Sequence, residues 1–155
     1  MDTNLYNTDI ALTLCPVWHN DPPLINVYVD DQVQHIVLKD TQTFNFKICS
    51  LSKNITVSVE LLNKKDTDTI VEKNLDKAII IDSISINGIA DSRFVWAGEY
   101  RPDYPEPWFS QQQTVPPAVL KNHNYLGWNG TWVINIQVPA FLWMHQVLGL
   151  GWVYD

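Results

Sequence analysis

Four aspartates crowd one part of this chain: Asp66, Asp68 and Asp76 in a polar segment, and Asp82 in the apolar run that follows. Carboxylates are hard oxygen donors, and calcium gathers roughly six to eight such oxygens, so calcium is the one metal this grouping suits. A solvated charged loop is the competing reading, because the spacing has no EF-hand pattern. Asp82 stands apart from the others. Simple alternation puts it on the same face as Ile84 and Ile86, where it needs a cation, a hydrogen-bond network or a β-bulge.

Catalytic constellations are not found. The carboxylate pairs Glu99 with Asp103 and Glu60 with Glu72 have no spacing that sets a geometry. The sequence contains no G-x-S-x-G, no H-E-x-x-H and no phosphate-cradling glycine run among its six glycines, so no enzyme activity is expected. Cys15, Cys49 and the dispersed His19, His35, His123 and His145 lack zinc spacing, and two free, buried thiols are expected. Aromatic side chains offer the other chemistry. Tyr100, Tyr104, Trp108, Trp128 and Trp152 suit a sugar-stacking platform or interface anchors, with plain core packing as the alternative.

These residues must be positioned by β-structure. Residues 24–30 place Ile25, Val27 and Val29 on one face, residues 43–48 do so with Phe44, Phe46 and Ile48, and residues 54–61 with Ile55, Val57, Val59 and Leu61. Asp30-Asp31-Gln32 reads as a hairpin turn, and residues 79–88 as a central strand. Residues 64–77 read as a solvent-facing loop, and residues 100–117, with five prolines, as an ordered irregular excursion. A last strand spans 131–138. Pro139 then opens a helix to about Leu148 that is apolar nearly all round and is expected to be buried on most sides, by this domain or by a neighbour. The absence of recurrent helical crossovers favours an all-β, jelly-roll-like β-sandwich in one domain, with residues 10–98 as its core and 99–155 as an extension packing on it or on a partner.

At 155 residues with 46% hydrophobic and 17% charged residues, the chain has the composition of a folded domain. Its net charge of −7 repels phosphate backbones and anionic headgroups, which argues against nucleic-acid and membrane partners. The start has no basic or apolar leader, so no export signal is expected, and the sequons Asn54-Ile55-Thr56 and Asn129-Gly130-Thr131 are discounted on that ground.

Residues 63–88 resemble the calcium-dependent xylan-binding family of carbohydrate-binding modules. The resemblance rests on Asn63-Lys64, on Asp76-Lys77-Ala78-Ile79, and on Asp82-Ser83-Ile84-Ser85-Ile86-Asn87-Gly88, with Val27-Tyr28-Val29-Asp30-Asp31 as the matching hairpin. It covers about residues 10–90 and implies a jelly-roll sandwich in which calcium holds sugar hydroxyls. Two positions depart from the family pattern: Lys64 replaces an acid and Ala78 an asparagine, so weak or absent calcium binding is expected. The C-terminal part, including residues 95–108 and 127–132, is similar to small proteins of tailed phages. That similarity implies a virion structural role as decoration, tail-fibre or baseplate protein, assembling with other virion proteins or with itself through residues 100–155. Glycan binding at a host surface is the alternative.

Overall fold

The computed structural model describes residues 5–50 and 54–149. Along the chain the strands are β1 (Tyr6–Val17), β2 (Leu24–Val29), β3 (Gln32–Val37), β4 (Gln42–Ser50), β5 (Asn54–Leu61), β6 (Ala78–Ile86), β7 (Ile89–Ala90), β8 (Glu99–Pro102), β9 (Leu120–Lys121), β10 (Tyr125–Leu126) and β11 (Gly130–Gln137). One antiparallel sheet runs β10-β6-β1-β4, with β7 hairpinned to β6; the other runs β3-β2-β5-β11-β8-β9. The two sheets form a β-sandwich, as the alternation of apolar residues predicts.

Each strand contributes its inward parity to one core. Ile10, Leu12 and Leu14 of β1 and Ile79, Ile81, Ile84 and Ile86 of β6 join Ile25, Val27, Val29, Val57, Val59 and Trp132 of the second sheet, all buried. Asp82 escapes that core by a bulge. β1 pairs Thr13 with Ser83 but Leu14 with Ile81, so Asp82 is the extra residue, and it is exposed while Ile81 and Ile84 both point inward. Of the three solutions open to Asp82, the chain uses the bulge.

Three further expectations are corrected. β11, assigned by sequence to an extension, lies inside the second sheet between β5 and β8. The C-terminal helix α2 (Ala140–Val147) buries Ala140, Trp143 and Met144 and leaves Phe141 56% exposed, so of the burial expected from this domain or from a neighbour, this domain supplies one side. Pro139 caps it rather than forming its first turn. The thiols of Cys15 and Cys49 are free, but Cys15 is half-buried and Cys49 exposed, because their parity on β1 and β4 is outward. A helix α1 (Ser92–Trp96), capped by Asp91 accepting from the Arg93 amide, was not anticipated. No helix among the described residues is long and apolar enough to cross a membrane.

Gly130 shows how tightly β11 enters the sheet. Its φ is +140°, and a Cβ there would lie 2.4 Å from the Arg101 carbonyl oxygen and 2.8 Å from the Pro102 Cα, both backbone atoms that cannot turn aside. Gly130→Ala is therefore expected to lower unfolding free energy by more than about 1 kcal/mol, read as a reduced urea midpoint at unchanged slope. An unchanged midpoint would show that β8 and β11 can part without cost.

Candidate functional site

At one end of the sandwich, chain segments far apart in sequence converge on an open groove of about 630 Å³. β5 leaves the sheet toward Lys64, β6 begins after Asp76, β10 ends before Gly127, and β11 starts after Asn129. The loop between β8 and β9 closes the remaining side with Pro105, Pro107 and Trp108. A concavity of this size with aromatic walls and a few polar groups is the usual form of a small-ligand site.

The floor is built around one ammonium. Lys64 Nζ donates to Asp76 Oδ1 at 2.5 Å, to the Gly127 carbonyl at 2.8 Å and to the Lys77 carbonyl at 2.9 Å, so all three of its hydrogens are used. Its side chain is only 7% exposed. The backbone of Lys64 is fixed by Asn129, whose Oδ1 accepts from the Lys64 amide at 2.8 Å and whose Nδ2 donates to the Lys64 carbonyl at 3.1 Å. Asp76 Oδ1 also accepts from Thr69 Oγ1 and the Lys77 amide, and Oδ2 accepts from the Tyr125 hydroxyl at 2.6 Å. Burial works to raise the Asp76 pKa, but the bonds from Lys64, Tyr125 and Thr69 together hold it below the ordinary 3.8. Burial, and then the bond to Asp76, push the Tyr125 phenol upward, so it remains a donor at neutral pH.

Beneath this lies a second buried cation. Lys77, with no exposed side-chain surface, contacts Asp21 Oδ1 at 2.6 Å and Asp68 Oδ2 at 3.2 Å, and reaches toward the Asn63 carbonyl at 3.4 Å. Asp68 is likewise fully buried. Its carboxylate accepts from Asn20 Nδ2 at 2.8 Å and from the Lys65 amide at 2.7 Å. Burial opposes its charge, yet the bonds from Asn20, Lys65 and Lys77 hold its pKa below 3.8. The segment expected to face solvent throughout thus turns one aspartate inward. Sequence parity could have revealed its partner, since Lys77 shares the inward phase of Ile79 and Ile81.

The aromatic wall gathers three of the five predicted aromatics. Trp108 and Trp128 lie 4.6 Å apart between ring centroids at 45°, and Tyr104 stacks on Trp108 at 5.5 Å and meets Trp128 edge-on at 5.8 Å. The Tyr104 hydroxyl donates to the Pro117 carbonyl at 2.7 Å, which ties the two ends of the proline-rich loop together. Tyr100 is different: it is fully buried and cannot touch a ligand. Its hydroxyl donates to the Trp128 carbonyl at 2.5 Å and accepts from the Trp128 amide at 2.9 Å, so it positions that tryptophan. Trp152 lies outside the described residues.

The four predicted calcium ligands do not form one site. Asp66 is exposed at the groove, Asp76 is bound to Lys64, Asp68 is paired with Lys77, and Asp82 is on the bulge. The point in the groove floor where the Asp76 carboxylate and the Lys77 and Gly127 carbonyl oxygens converge is filled by the Lys64 ammonium, so these residues do not fit a resident calcium ion. Among the described residues no group of three or more His, Cys, Asp or Glu side chains is arranged to hold a metal. Sequence reasoning missed His123, Tyr125 and Asn129, which line the groove; they come from short segments without a periodic signal.

No family model matches the chain, and no curated protein sequence matches it. Among solved structures it is similar to vCBM60, described in a study of two families of calcium-dependent carbohydrate-binding modules. The identity is 16%, the match covers 82% of this chain and 89% of that one, and the TM-score is 0.50. vCBM60 in complex with galactobiose matches at 14% identity over 83% and 99% of the two chains, with a TM-score of 0.47. At such identities the likeness to the first of these establishes a shared β-sandwich fold.

Breaking a buried ion pair by removing one partner costs about 3–5 kcal/mol, because the other charge stays buried. Lys77→Met is expected to lose stability of that order in urea at pH 7, and adding Asp68→Asn should return most of it. The acid limb has a definite sign. Asp68 and Asp76 have folded-state pKa values below 3.8, so their contribution is fully present above about pH 5 and is lost as pH falls through 3.8 toward those lower values. Asp68→Asn should flatten this fall; a wild-type stability independent of pH between 5 and 2 would contradict the assignment.

Proposed function

We propose that this chain is a non-catalytic glycan-binding module whose binding site is the groove between the Trp108–Trp128 wall and the Asp76–Tyr125 floor. The juxtaposition of Trp108 and Trp128 beside a polar rim is the observation that carries the reading. Sugars present apolar C–H faces and polar hydroxyl edges, and an aromatic wall with carboxylate, amide and imidazole groups beside it complements both. The shared fold with a solved carbohydrate-binding module supports the same reading.

Binding without turnover follows from the state of the best-placed carboxylate. Asp76 receives four donors, from Lys64, Thr69, the Lys77 amide and Tyr125, and stays ionised, so it is unsuited to deliver a proton as a general acid. Asp66 and Asp103 line the same groove and are exposed, and the whole chain carries −7. Neutral sugars are therefore favoured over uronic acids. A virion role rests on the C-terminal sequence resemblance alone; a host-surface glycan would be the target of such a protein.

Affinity should be found by calorimetry against neutral oligosaccharides, xylo-oligosaccharides among them. Trp108→Ala and Trp128→Ala should each weaken binding at least about tenfold, the equivalent of about 1.4 kcal/mol. Phe141→Ala, on an exposed site of α2, should leave binding unchanged. If no neutral glycan binds, or if the tryptophan variants bind like wild type while remaining folded by circular dichroism, the groove is not a glycan site.

A further inference from the structure

The groove floor has the oxygen arrangement of a cation site and already contains a cation. A carboxylate oxygen from Asp76 and the carbonyl oxygens of Lys77 and Gly127 approach one point from two chain segments. Backbone carbonyls of two separate segments rarely face the same point unless a positive group draws them there, since their dipoles repel. Here that group is Lys64 Nζ, 93% of whose side chain is buried and all of whose donors are engaged. The two carbonyl distances, 2.8 and 2.9 Å, are those of charge-assisted hydrogen bonds and exceed only slightly the roughly 2.3–2.6 Å of calcium–oxygen contacts.

We propose that the Lys64 ammonium is the resident cation of this groove, holding the oxygen cage that a divalent ion would otherwise fill and making the site independent of calcium. The tether matters as much as the charge. Lys64 is anchored through its backbone to Asn129, so its ammonium is supplied by the fold and cannot be lost to a chelator. A divalent ion cannot enter while it remains, because its centre would coincide with a unit positive charge. The ammonium also has no free hydrogen for a ligand, so it shapes the floor, and sugar hydroxyls are left to Asp76, Tyr125 and the rim.

Two consequences can be measured on the protein without any glycan, so they stand or fall separately from the glycan reading. Wild-type melting temperature should be the same in EDTA and in 5 mM calcium chloride, and calorimetric titration with calcium alone should show no heat of binding. Lys64→Asp exchanges the cation for an oxygen donor beside Asp76; it should melt lower than wild type in EDTA and rise by several degrees in calcium, with about one ion bound. Lys64→Ala, which opens the cage without adding a charge, serves if the first variant does not fold: it should be raised by calcium or by propylammonium, and not by tetramethylammonium, which has no N–H to donate. Stoichiometric calcium binding by wild type would overturn the proposal. So would folded Lys64→Asp protein, or, in its place, Lys64→Ala protein, with no response to any of these cations.

Discussion

Two buried ammonium groups, reaching in opposite directions between the same two segments, set the geometry on which the groove depends. Lys64 bonds the Lys77 carbonyl, and Lys77 reaches toward the carbonyl of Asn63, next to Lys64. The segment leaving β5 is thereby stapled to the segment entering β6, across the gap between the two sheets. Charge buried without partners would be prohibitive, and here each ammonium is matched by a carboxylate: Asp76 for Lys64, Asp68 and Asp21 for Lys77. The polar network replaces apolar packing at this end of the sandwich, and it leaves a floor lined with oxygen.

The aromatic wall is held by separate means. Trp128 follows Gly127, whose carbonyl is part of the Lys64 cage, and its own backbone is gripped by the buried Tyr100 hydroxyl. Lys64 Nζ also lies 5.9 Å from the Trp128 ring, close enough for a weak cation–π attraction. Trp108 has no strand beneath it; it depends on a loop made stiff by Pro105, Pro107, Pro116 and Pro117 and closed by the Tyr104–Pro117 bond. One face of the groove is thus pinned to the sandwich and the other to a stiffened loop, an arrangement that presents stacking surface with little ordering left to do on binding.

Much of the sandwich could be read from alternation, because a strand with one buried face must repeat with period two. Val27, Phe46, Val57 and Ile84 fall where parity places them, and Ile10, Leu12 and Leu14 carry the same signal for β1, although no strand was assigned there from sequence. The Asp82 conflict in parity, open to a cation, a hydrogen-bond network or a bulge, is resolved by the bulge. The groove was legible only in parts. Its aromatics stood out by type, yet Tyr100 could not be told from Tyr104, since burial of one and partial exposure of the other follow from β8–β11 pairing. The cage around Lys64 was hidden for a simple reason: two of its three acceptors are backbone carbonyls, which every residue has.

On the proposed reading, a glycan lies on Trp108 and Trp128 over a floor held by Lys64 and not by calcium. Seven tryptophans give seven indole N–H signals in a nitrogen-15 correlation spectrum, and side-chain assignment separates them. Titration with neutral oligosaccharides in the presence of EDTA should move the Trp108 and Trp128 indole signals, and leave those of the buried Trp132 and Trp143 in place. Shifts confined to the exposed Trp18 or Trp96, or shifts that appear only once calcium is added, would contradict the account.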